Sequence, residues 1–111
     1  MAQSFKRVAS RNVGTAAAAV GGYAVGVGIS ATIIGLSASN TSNVPGTVDL
    51  FIQNGGATVA YLVKGAPLPV AGTLVAVGGD QKVVLQAGDT LVAVVNGGAA
   101  ADLLMSVLEL S

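Results

Sequence analysis

The chain has 111 residues, a length suited to one domain, and it contains neither cysteine nor histidine. That composition removes disulfides, thiolate metal sites, thiol nucleophiles and the commonest general base. Charged residues are 9% of the chain, five Lys/Arg against five Asp/Glu, where about 25% is usual, so no basic footprint for nucleic acid exists. Hydrophobic residues reach 52% and the mean hydropathy is +0.76, more apolar material than one small core needs, which points to a partner surface.

Residues 1–19 read as an N-terminal arm followed by an Ala/Gly-rich linker, ahead of a single β-sandwich domain over residues 20–111. Phe5 to Val13 has a mixed pattern that fits an arm or an edge strand, and Lys6, Arg7 and Arg11 are nearly all the clustered charge in the chain. Gly14 to Ala19 is too short to nucleate a helix despite its alanines. Strands are expected over 20–27, with Tyr23, Val25 and Val27 alternating with small residues, and over 32–38 after a turn at Gly28-Ile29-Ser30. The second of these would place Ile34, Leu36 and Ala38 on one face and Ile33, Gly35 and Ser37 on the other.

Asn40 to Gly46 is the clearest loop, rich in turn formers. Val48 to Gln53 alternates with Val48, Leu50 and Ile52 inward, and Asn54-Gly55-Gly56 signals a hairpin into a strand over 58–64. Phe51 and Tyr61 flank that hairpin and could stack across it. Ala66-Pro67-Leu68-Pro69 is expected to block regular pairing, because neither proline can donate to a ladder. Strands over 73–77, 82–85, 90–95 and 103–110 follow, separated by Gly78-Gly79-Asp80, Ala87-Gly88-Asp89 and Asn96-Gly97-Gly98. About eight short strands with glycine turns give an all-β class: a compact antiparallel β-sandwich, jelly-roll-like, with an N-terminal arm.

A membrane alternative comes from the uncharged run Asn12 to Val48, in which apolar Val13 to Leu36 follows three cations and Gly22 and Gly26 form GxxxG. The run is Ala/Gly-rich, glycine interrupts it at 14, 21, 22, 26, 28 and 35, and long aliphatics arrive only at Ile33, Ile34 and Leu36. Strands with glycine turns account for it better than a span or a signal peptide.

Catalytic chemistry finds no foothold. Gly26-Val27-Gly28-Ile29-Ser30-Ala31 fits a dinucleotide fingerprint with Asp49 downstream, yet the residues after it read as strand where that fingerprint needs a helix. Asp49, Asp80, Asp89, Asp102 and Glu109 show no spacing that implies an acid/base couple or a dedicated calcium loop. Lys64 and Lys82 are simplest as solvated strand-end charges. No catalytic residue, cofactor or metal ligand is therefore assigned.

The run Tyr61-Leu62-Val63-Lys64-Gly65-Ala66-Pro67-Leu68-Pro69, then Gly72-Thr73-Leu74-Val75, then Gly78-Gly79-Asp80-Gln81-Lys82-Val83-Val84-Leu85-Gln86-Ala87-Gly88-Asp89-Thr90-Leu91, resembles small virion proteins of tailed bacteriophages. The opening Phe5-Lys6 and Ser10-Arg11-Asn12-Val13-Gly14-Thr15 is similar to theirs too, although the Ala/Gly-rich segment Ala16 to Gly28 departs from the pattern. The resemblance implies a non-enzymatic accessory part of the virion, a neck or collar subunit or a capsid decoration. Its partners would be copies of itself and a larger virion protein, either a portal/connector or the major capsid protein. Phe5, Arg7, Arg11 and Tyr23 are the expected interface residues. The alternatives are a receptor- or carbohydrate-binding β module of a phage tail, for which loop aromatics are few, and a small membrane-inserted protein using residues 13–36.

Overall fold

The computed structural model describes residues 3–78 and 82–111. These form nine strands: β1 (Gln3–Val13), β2 (Ala18–Ala24), β3 (Ser30–Asn40), β4 (Gly46–Asn54), β5 (Ala57–Leu68), β6 (Thr73–Val77), β7 (Val83–Leu85), β8 (Asp89–Asn96) and β9 (Ala101–Leu110). All pairings are antiparallel, in two sheets. The first runs β1-β9-β3-β6, with β7 also on β3, and the second runs β2-β8-β4-β5. β6 and β7 share one side of β3 end to end, β7 against Ala31 to Ile33 and β6 against Leu36 to Ser39.

The core lies between the sheets and follows the period-2 pattern of the strands. Val48, Leu50 and Ile52 of β4, Leu91, Ala93 and Val95 of β8, and Ala101, Leu103, Met105 and Val107 of β9 are buried there. Asn54 pairs with Ala57 across Gly55 and Gly56, whose φ values of 61° and 85° suit the two-residue hairpin turn that needs positive φ at both positions.

Four expectations change. The 1–19 arm is not separate from a 20–111 domain: β1 pairs with β9 from Gln3 to Val13, and the 19/20 boundary falls inside β2. The mixed pattern of β1 arises because it is an edge strand with one buried side chain per several residues, Val8 and Val13. In β3 a register shift between Ile33 and Gly35 inserts one residue, so Ile33 joins Leu36 and Ala38 inside while Ile34 turns outward. Proline does not end β5: Pro67 sits opposite Thr47 and Leu68 opposite Gly46, tolerated because β5 is an edge strand whose missing donor breaks no second ladder. Val27 lies beyond β2 and is 98% exposed rather than alternating into the core. The Gly78-Gly79-Asp80 turn lies, but for Gly78, outside the described residues.

The Ala/Gly-rich segment is where the chain passes from one sheet to the other. Gly14 accepts a backbone hydrogen bond from Val95 of β8, and β2 then pairs with β8, so β1 and β2 close one side of the sandwich. Gly21, at φ +60°, donates its N–H to Ser10 Oγ at 2.6 Å, and a Cβ there would lie 2.3 Å from Val8 Cγ1. Small residues are required for that approach. Residues 13–36 thus form the end of β1, all of β2 and most of β3. Among the described residues no helix is long and apolar enough to cross a membrane.

Candidate assembly surface

The two sheets treat their outward faces differently. On β4 and β8, outward-pointing Phe51 and Val92 are cross-strand neighbours, and Tyr61 of β5 stands opposite Phe51. The Phe51 and Tyr61 rings lie 4.9 Å apart, with Lys64 Nζ 4.5 Å from the Tyr61 ring centre. Phe51 and Val92 are therefore buried on an outer face, covered by their own neighbours.

The outer face of the β1-β9-β3-β6/β7 sheet has no such cover. Register pairs place Phe5, Leu108, Thr32 and Val84 in one lateral row across β1, β9, β3 and β7. A second row holds Ala9, Leu104, Ser37 and Val75. Phe5 is 72% exposed, Val75 65%, Val84 62% and Leu104 48%, while Leu108 is half-buried, so four of the five large apolar side chains in the rows project into solvent. Between the rows run Arg7, Ser106 and Gly35, and the absence of a side chain at Gly35 leaves a shallow hollow bordered by Ser37, Val75, Leu104 and Ser106. A Cβ built on Gly35 would meet nothing within 4 Å. β3, β6 and β7 carry no charged residue.

The expected interface residues separate. Phe5 and Arg7 share this open face, alternating with inward Val8. Arg11 is exposed beside the β1 register shift, where Asn12 takes φ 55° and its N–H donates to Asp102 Oδ1 at 3.0 Å. Tyr23 is half-buried on β2, and its hydroxyl donates to Glu109 Oε2 on β9 at 2.5 Å, joining the two sheets. Lys6 Nζ lies 3.3 Å from Glu109 Oε1. Burial first, then the hydrogen bond to Glu109 and its charge, raise the Tyr23 phenol well above its ordinary value of 10.0. The hydrogen bond from Tyr23 holds Glu109 below 4.5, opposed by partial burial and aided by Lys6.

The remaining described carboxylates accept from nearby backbone and side-chain amides. Asp49 Oδ1 accepts from Gly65 N–H at 2.7 Å inside the β4–β5 irregularity, and Asp89 accepts from Asn54 Nδ2 at 2.7 Å and Gln86 N–H at 2.8 Å. Among the described residues no three acidic side chains gather as a metal site. Sequence reasoning missed Leu104, Val75, Val84 and Gly35 as surface determinants. Each lies in an apolar strand, and which face it takes depends on strand register and on the Ile33/Gly35 shift.

No protein-family profile matches the sequence, and no curated protein matches it. A solved structure from Bacillus endospore appendages, described as a novel family of disulfide-linked pili, superimposes with a TM-score of 0.58 at 16% sequence identity. The match covers 99% of this chain and 87% of that one, and at that identity the likeness is one of fold.

Proposed function

We propose that this chain is a non-enzymatic structural subunit that works in many copies, as an accessory part of a virion at the neck, collar or capsid surface. The observation that carries the reading is the uncovered outer face with Phe5, Leu104, Val75 and Val84 exposed beside strands that contain no charge. The strand order supports it too: setting β7 aside, β1-β9-β3-β6 over β2-β8-β4-β5 is the connectivity of a jelly roll, an architecture frequent in capsid proteins. Copies of the chain and a larger virion protein are the partners of this reading.

A second reading, a fibre subunit of an extracellular appendage, is favoured by the fold likeness to a pilus protein. The absence of cysteine from these 111 residues means that copies of this chain would be held without the disulfides named for that neighbour. Negative-stain microscopy of the purified protein separates the two. Closed rings or small clusters favour the virion reading and open filaments favour the fibre. Isolated single particles at all concentrations, with no binding to capsids or connectors, would count against both.

A further inference from the structure

We propose that the outer face of the β1-β9-β3-β6/β7 sheet packs against the same face of a second copy, with Leu104 of each copy seated over Gly35 of the other. This deepens the assembly reading and rests on it. The face supplies both halves of a self-complementary contact. Leu104 projects from β9 at 48% exposure, and the hollow over Gly35 lies beside it, one diagonal step away across the β9–β3 pair. A two-fold axis passing between Leu104 and Gly35 brings each projection onto the other copy's hollow, the isologous arrangement of most dimers.

Size and charge favour a second copy as the occupant. Four strands about 4.8 Å apart and some eight residues long present roughly 500 Å² of face per copy, so a pair covers about 1,000 Å², at the floor for a biological interface. Arg7 is the charge between the two apolar rows; it lies on edge strand β1, so an axis near β9 and β3 carries the two Arg7 side chains to opposite margins. Nothing in the rows requires an acidic partner, and the chain's formal net charge of zero sets up no repulsion between copies. Phe5 and Val84 at the two ends of one row, and Val75 in the other, are covered in the same event.

The contact is tested on the full chain, which has no cysteine of its own. Single Leu104→Cys and Val59→Cys variants are treated with a short bismaleimide at dilute protein concentration; Val59 is an exposed residue of β5 in the other sheet. The expected result is a covalent dimer from Leu104→Cys and little from Val59→Cys. In parallel, Gly35→Val fills the hollow at a strand position with no positive φ and open space for a side chain. It should leave the β-rich circular dichroism spectrum unchanged and weaken self-association at least about tenfold. A multimer that forms no Leu104→Cys cross-link and survives Gly35→Val overturns the face contact while leaving the assembly reading standing. Cross-linking that is equal at both positions also overturns it, and a monomeric wild-type protein overturns both proposals.

Discussion

Tyr23 and Glu109 belong to different sheets, and a direct hydrogen bond from the Tyr23 hydroxyl to the Glu109 carboxylate ties them at 2.5 Å. Lys6 meets the other oxygen of the same carboxylate, so three strands converge on one group at the β1/β2 side of the sandwich. Tyr23→Phe removes the donor and leaves the ring in place. A loss of about 1.5–3 kcal/mol in urea unfolding is expected, as for a hydrogen bond to a charged acceptor.

The same pair sets a pH dependence at both ends of the scale. Glu109 titrates below its ordinary 4.5 in the folded protein, so as pH falls past that value the unfolded chain takes up a proton the folded one refuses, and stability declines. Tyr23 titrates above 10.0 when folded, so as pH rises past that value the unfolded chain sheds a proton the folded one keeps, and stability again declines. Glu109→Gln should flatten the acid limb and Tyr23→Phe the alkaline limb of a melting temperature profile measured from pH 3 to 11.

Two glycines should respond oppositely to alanine. Gly21→Ala puts a methyl 2.3 Å from Val8 Cγ1 at a φ of +60°, and a loss of about 2–4 kcal/mol is expected from strain and overpacking together. Gly35→Ala enters space left open within the single chain and, measured at dilutions where copies are apart, should be neutral or slightly stabilising. Thermal unfolding of the two variants side by side checks the contrast.

Asn40, 5% exposed at the end of β3, organises the loop that follows. Its Nδ2 donates to the carbonyls of Val44 and Leu68, and its Oδ1 accepts from the N–H and Oγ of Ser42. Asn40→Ala strands the Leu68 carbonyl and should cost about 2–4 kcal/mol, with hydrogen exchange rising first over residues 41–46.

Much of the fold was legible because its determinants are local. The alternation of Val48, Leu50 and Ile52, the Asn54-Gly55-Gly56 turn and the strand at Thr73 to Val77 are readable from neighbours in sequence. The face assignments of β3 were not, because the inserted residue at Ile33/Gly35 is a property of its pairing with β9, some 70 residues away. Pro67 misled for a related reason: proline forbids a donor, and only the topology tells that β5 has no second neighbour to miss it. For the surface, Phe5 and Arg7 stood out by residue type on a mixed strand. Leu104, Val75 and Val84 look like core residues until the register shows which way they point.

The proposed role depends on association of this chain with its own copies. The most direct test is the solution mass of the wild-type protein by light scattering over a wide concentration range, without detergent. A discrete multiple of the 10.7 kDa chain that persists on dilution to micromolar levels is expected. A clean 10.7 kDa particle at every concentration would contradict it.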